Sequence, residues 1–168
     1  MLPHLNAAYN LARWLTRNPA DAEDVVQEAY LRALRYFDGF AGADGKAWLL
    51  SIVRHTCFTW LRKNRPAELA PLGEGAGEAA EPASDEADPE ALMMAARDRA
   101  LLDRLIAELP PEFREVIVLR ELEELSYRDI ADIAGVPIGT VMSRLARART
   151  RLRRDWLARR KTERVHGT

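Results

Sequence analysis

The sequence predicts an all-α protein of two small helical domains joined by a flexible acidic linker. Three observations carry that prediction. Apolar residues recur at helical spacing on both flanks of the chain. No long β-branched alternation and no internal repeat interrupts them. Between the flanks lie 27 residues, 66–92, with four Pro, three Gly, eight Ala, eight acids and no aromatic residue. Such a block has little to bury and repels itself, so it cannot hold a fold. It divides the chain into 1–65, 66–92 and 93–168, against the prior of one domain for 168 residues.

In the first domain, Asn10, Trp14 and Leu15 belong to an opening helix. Asn18-Pro19-Ala20-Asp21-Ala22-Glu23-Asp24 is a helix start, its acids suited to the positive end of the helix dipole. The helix is expected to run to about Phe37, with Val26, Tyr30, Ala33 and Phe37 facing the core. Asp24, Gln27, Glu28, Leu31 and Arg35 fall on its other faces. After a glycine-rich loop, Lys46 to about Asn64 reads as a helix with Leu49, Ile52, Val53, Thr56 and Trp60 inward. Asp88-Pro89 is suited to open the second domain as cap and first-turn proline. Leu92, Leu101, Leu102, Leu105 and Leu109 mark one helix, closed by Pro110-Pro111. Val116, Ile117 and Leu119 mark the next, ending near Leu122. Tyr127–Ala134 and the stretch from Pro137 onward follow, separated by Gly135. The last helix is expected to continue past Arg154.

Composition sets bounds on function. With 48% apolar and 30% charged residues the chain can build a core. No uncharged apolar run approaches the ~20 residues of a membrane-spanning helix. The N-terminus lacks a basic segment followed by an apolar block, so no secretion signal is expected. One cysteine forms no internal disulfide and no four-cysteine zinc site, which fits a reducing cytoplasm. Cys57 reads as a buried small hydrophobe, since His55 at i−2 does not face it on a helix. His4, His55 and His166 are too scattered for a metal site. No phosphate loop or activated nucleophile is present, so no catalytic residue, metal or cofactor is expected.

Charge is distributed unevenly. The first domain carries +3, the linker −8 and the second domain +4, and residues 141–164 alone hold +8. A chain that ends so basic points to an anionic polymer as partner.

Residues 126–149 give that partner a shape. Ser126 to Arg149 has the layout of a helix-turn-helix, with Ile130, Val136, Val141 and Leu145 locking two helices. Ala131 allows close approach and Gly135 supplies the turn. The second helix then offers Thr140, Ser143, Arg144, Arg147 and Arg149, and its N-terminal residues are suited to a DNA major groove. Arg54, Phe58, Arg62 and Arg65 lie along one ridge of the first domain, with His55, Trp60 and Lys63 nearby. Cations interleaved with aromatic rings are what single-stranded nucleic acid needs. Trp48 and Trp60 read as core, leaving Phe58 and His55 as the contact candidates.

At these residues the chain resembles bacterial sigma factors of the extracytoplasmic-function type. Asp21-Ala-Glu-Asp-Val-Val-Gln-Glu-Ala-Tyr resembles the family's region 2.2. Trp48-Leu-Leu-Ser-Ile-Val-Arg-His-Thr-Cys resembles regions 2.3 and 2.4. Leu109-Pro-Pro-Glu-Phe-Arg-Glu-Val-Ile-Val-Leu-Arg-Glu-Leu, Leu125-Ser-Tyr and Pro137-Ile-Gly-Thr-Val resemble region 4. The resemblance implies a transcription initiation factor that binds core RNA polymerase and performs no chemistry itself. Asp21, Asp24, Gln27, Glu28, Leu31 and Arg32 would then dock on the polymerase clamp helices, and the second domain on the flap. Arg54, His55, Thr56, Phe58 and Arg62 would open and hold the single-stranded −10 element. Arg120, Tyr127, Thr140, Ser143, Arg144, Ala146, Arg147 and Arg149 would read the −35 duplex. An anti-sigma protein is a further partner that the resemblance implies. Two positions depart from the family pattern: His55 stands where Asn is common, and Met142 where a basic residue is common. The N-terminus is also shorter than is usual in the family.

Two other functions are open to such a chain. A helix-turn-helix activator of the response-regulator kind would bind DNA without polymerase, leaving residues 1–65 without a role. Alternatively, the N-terminal helices could form a pure protein-interaction module. Transcripts started at defined sites with core polymerase distinguish the first reading from both.

Overall fold

A computed structural model of the chain describes residues 4–36, 45–69 and 96–166. Among these residues all regular structure is helical. Phe37, most of the glycine-rich loop, linker residues 70–92 and the expected cap at Asp88-Pro89 lie outside the described residues.

Three helices make the first half. α1 spans Leu5–Thr16 and stops where Arg17 turns left-handed at φ 59°. α2 spans Pro19–Arg35. The Asn18 side chain caps it, accepting from the Ala20 and Asp21 N–H groups at 2.9 and 3.1 Å, while Pro19 occupies a position whose N–H has no helical partner. α3 spans Gly45–Asn64. Small residues let the three approach closely: Ala8 and Ala12 on α1, and Ala22, Ala29 and Ala33 on α2, are buried around Leu11, Leu15, Leu49 and Val53. On α3, Ile52 and Trp60 are only partly buried, while Leu50, Cys57, Phe58 and Leu61 join Leu49, Val53 and Thr56 inside. The single inner stripe expected of α3 is therefore too narrow. It is covered on one side by α1 and α2 and on another by a helix of the second half.

That half contains α4 (Ala96–Glu108), α5 (Pro111–Ile117), α6 (Tyr127–Ala134) and α7 (Ile138–His166). α5 widens into one π-helical turn over Val118–Leu122, and Glu124 at φ 56° redirects the chain into α6. The Ser126 hydroxyl caps α6, accepting from the Asp129 N–H at 3.1 Å. Gly135 closes it at φ 70°, a conformation glycine adopts without side-chain strain. Ile130, Val141 and Leu145 are fully buried between α6 and α7, Ala131 is nearly so, and Val136 packs beside them.

The two halves do not stand apart. α1 packs on α5 and the π-turn, α3 packs on α6, and one buried cluster runs through both halves. The start of the predicted linker is also ordered. Pro66–Leu69 forms a 3-10 turn on α3, held where Arg17 pairs with Glu68 and Leu69 packs on the core.

Candidate nucleic-acid interface

The outer face of α2 is open. Because Ala22, Val25, Val26, Ala29 and Ala33 fill its inner stripe, Asp24, Gln27, Glu28 and Leu31 are exposed. Arg32 donates to Glu28 across one turn at 2.9 Å. Asp21 is half-buried beside Arg65 at 3.7 Å. Leu31, Leu34 and Tyr36 are each at least 60% exposed, so an apolar patch continues the polar face. Leu34 and Tyr36 escape the sequence reading. The signal was present in Leu34, three positions after Leu31 and off the alanine–valine stripe.

On α3, the candidates for single-stranded DNA divide into covered and open residues. His55 and Arg62 are exposed, and Arg62 donates to the Thr59 hydroxyl at 3.1 Å. Thr56 is buried, and its hydroxyl donates back to the Ile52 carbonyl at 2.8 Å. Phe58 is also buried, with the Arg54 guanidinium 4.0 Å from its ring centre. Phe58, expected as a DNA contact, is a packed residue in this conformation because α3 is enclosed on two sides, and Thr56 lies inward as its place on the apolar stripe predicts. Arg65 likewise leaves the proposed ridge. It donates to the Thr16 carbonyl, stacks on Trp60 and pairs with Asp21, tying α3 to α1 and α2. Arg54 reaches the other half of the molecule, donating from Nε and Nη2 to Glu115 at 2.9 and 3.2 Å. Glu115 is fully buried. Burial pushes its carboxyl up from the ordinary carboxylate range, while the Arg54 hydrogen bonds and charge pull it back down. Burial likewise pushes the Cys57 thiol up, leaving it an inert core residue.

The helix-turn-helix presents α7. Ile138 and Met142 are exposed near its start, and Thr140, Ser143, Arg144 and Arg147 are partly exposed over its first turns. The Ser143 hydroxyl donates to the Thr140 carbonyl at 3.1 Å. Arg144 lies 3.6 Å from Glu112, and its buried Nη1 has no hydrogen-bond partner. Arg149 donates twice to Glu121, at 3.2 and 2.7 Å. Burial lowers its pKa, but Glu121 and Tyr127 outweigh that and hold it above the ordinary arginine value. Arg120 donates to the Leu125 carbonyl at 3.0 Å and stacks over Tyr127 at 4.4 Å, bracing the π-turn against α6. Ala146 is corrected: it is 7% exposed and packs rather than reaching outward.

The cations are thus in place, but several are held by glutamates on α5 and its π-turn. Periodicity cannot reveal such pairs, because Arg54 and Glu115 are 61 residues apart. Below them, Arg159 pairs with Glu108 and Arg160 with Asp98, fastening the far part of α7 to α4.

The chain is similar to known proteins in sequence and in fold. Residues 2–67 match the family described as sigma-70 region 2, and residues 99–152 match sigma-70, region 4. The chain is 35% identical over 160 residues to the ECF RNA polymerase sigma factor SigE of Mycolicibacterium smegmatis, covering 95% of this chain and 61% of that protein. It is 37% identical over 134 residues to the ECF RNA polymerase sigma-E factor of Escherichia coli K12, covering 77% and 70% of the two chains. Among solved structures, the fold is similar to the sigma factor RpoE in complex with the anti-sigma factor NepR from Bartonella quintana. That match has a TM-score of 0.68 and 30% identity, covering 94% of this chain and 93% of that one. CnrH, solved in complex with the cytosolic domain of CnrY, shares the fold at a TM-score of 0.65 and 24% identity, covering 94% and 84%.

Proposed function

Since the chain belongs to the extracytoplasmic-function family of RNA polymerase sigma factors, we propose that it binds core RNA polymerase and brings it to specific promoters. One observation supports this best: the capped, glycine-turned α6–α7 hairpin and the open outer face of α2 occur in a single chain. A DNA-binding module alone has no use for an exposed face of Asp24, Gln27, Glu28 and Leu31 beside Leu34 and Tyr36. In this reading α2 docks on the clamp helices and the second half on the flap. α7 enters the −35 major groove with Thr140, Ser143, Arg144 and Arg147, while Arg120, Tyr127 and Arg149 support it from beside the groove. On α3, Arg54, His55 and Arg62 meet the −10 strand. Phe58 and Thr56 join them only where α3 has been uncovered. The factor acts in the cytoplasm beside the polymerase, which performs the chemistry. An anti-sigma protein, like the one bound to the Bartonella relative, is its expected antagonist.

Arg147 lies one helical turn beyond Ser143 on α7 and tests the −35 assignment. Arg147→Ala is expected to cost about 1–3 kcal/mol and to relax preference at one base position. Arg149→Ala is instead expected to weaken all promoter variants alike and to flatten the salt dependence. Binding of polymerase holoenzyme to a set of single-base −35 variants reads both effects. Uniform weakening by Arg147→Ala reduces Arg147 to a backbone contact.

A further inference from the structure

The match to sigma-70, region 4 ends at residue 152, whereas α7 continues unbroken to His166. One face of this far half is braced. Leu152 packs on the core, and the Arg160 guanidinium lies 5.5 Å from the centre of the Trp156 ring. Arg159 donates to Glu108 of α4 at 3.0 Å, and Arg160 lies 3.3 Å from Asp98 of α4. Leu152, Trp156, Arg159 and Arg160 follow at i, i+4, i+7 and i+8, which is a single helical stripe.

The opposite face is open and basic. Ser143, Arg147, Thr150, Arg154, Leu157 and Lys161 follow at i, i+4, i+7, i+11, i+14 and i+18. The ridge that begins with the −35 candidates therefore runs on along the same side of the helix. Arg151, Arg153, Arg154, Leu157 and Lys161 are all exposed. Between residues 150 and 162 there are six cations and one acid, Asp155. Asp155 lies 3.4 Å from Arg154, whose side chain is still 72% exposed. Such a pair holds its cation weakly.

Length decides what this ridge can reach. Ser143 to Lys161 is about 27 Å at ~1.5 Å per residue, whereas a DNA major groove is about 12 Å wide. With its first turns among the bases, a straight α7 crosses the phosphates bordering the groove before it ends. Guanidinium groups match phosphate oxygens by their planar donor fork, and such contacts position a protein without reading sequence. A protein partner fits less well. Leu157 is the one exposed large apolar side chain on α7 beyond Met142 among the described residues, little for an interface of about 800 Å² a side.

We propose that the basic ridge of residues 151–161 grips the phosphate backbone bordering the −35 element, adding affinity without sequence preference. The proposal rests on the reading of α7 as the helix that enters the −35 major groove. The brace on α4 is what keeps the ridge straight, so its cations stand on a rigid rod and not on a fraying terminus.

The test uses polymerase holoenzyme reconstituted with the full chain carrying Arg151→Gln, Arg153→Gln, Arg154→Gln and Lys161→Gln. Glutamine is a good helix former, and circular dichroism checks that helicity is kept. Each phosphate contact contributes about 0.9 to the slope of log affinity against log salt. The variant's slope is therefore expected to be shallower by about 2–4, with its preference among single-base −35 variants unchanged. Hydroxyl-radical footprinting is expected to lose protection at sugars bordering the −35 element while protection within it stays. Lysine at the three arginine positions is expected to keep both slope and footprint, because a phosphate contact needs only a cation. Unchanged slope and footprint in the glutamine variant, with −35 preference intact, overturn the proposal and leave the sigma-factor reading standing. Loss of core-polymerase capture by the glutamine variant, with duplex binding of the free chain unaltered, also overturns it and assigns the ridge to a protein surface. A wild-type holoenzyme without preference for any −35 sequence removes the underlying reading and the proposal with it.

Discussion

Replacing Gln27 and Glu28 by lysine is expected to abolish capture of core RNA polymerase, a loss of at least about 100-fold, or ~2.7 kcal/mol. Both side chains stand exposed on α2, whose inner stripe is filled without them. Lysine is a good helix former, so the helix keeps its propensity. Among the described residues, the ion pair removed is the exposed Glu28–Arg32 pair, and exposed pairs of this spacing contribute about 0.3–0.5 kcal/mol. What changes is the charge presented to a partner, by three units in all, across a face that includes Asp24 and Leu31. Such reversal at a docking surface is far more damaging than truncation, because like charges are then forced together. Pull-down with tagged core polymerase measures the loss, and an unchanged thermal melt shows that the fold survives. Full retention of binding would remove α2 from the docking surface.

Arg114→Met is expected to cost roughly 3–5 kcal/mol of folding stability, the largest effect anticipated for a charged position outside the proposed DNA and polymerase contacts. Arg114 is 1% exposed, and its guanidinium donates to the carbonyls of Trp14, Leu15 and Leu109. Two of those carbonyls belong to the last turn of α1, where helical partners are missing and the dipole is negative. Burial pushes the Arg114 pKa down to about 10, with Arg17 and Arg65 adding to the effect, so it remains a cation at neutral pH. Methionine fills much of the volume but leaves those oxygens dry and unpaired, at about 1–3 kcal/mol each. Urea unfolding measures the difference. A change below about 1 kcal/mol would mean that water reaches the carbonyls and that Arg114 is not what closes the end of α1.

The parts of the fold that were legible in the sequence are those specified locally. Asn18-Pro19 opens α2, Ser126 caps α6, Gly135 turns the chain, and Ile130, Val141 and Leu145 lock the hairpin; each acts within a few residues of itself. What was not legible depends on partners distant in the chain. α3 was read with one apolar stripe, yet Leu50, Phe58 and Leu61 are also buried, because α3 lies against both halves. Phe58 therefore looked available when it is enclosed, whereas Thr56 is buried on the stripe where periodicity placed it. Arg54 looked like a free cation because nothing near it in sequence announces Glu115. Nothing near Arg114 and Glu115 in the sequence marks them as buried, since such residues are almost never fully buried unless paired with groups that here lie far along the chain. The candidate site was legible as a set of residue types on helices. Its present occupancy by glutamates was not.

Run-off transcription with reconstituted core polymerase on genomic fragments tests the account at its centre. The account predicts transcripts with defined 5′ ends that appear only when factor and core are both present, and that vanish with the Gln27→Lys, Glu28→Lys pair. A factor that shifts DNA fragments unaided and adds no transcript start to core polymerase would contradict it.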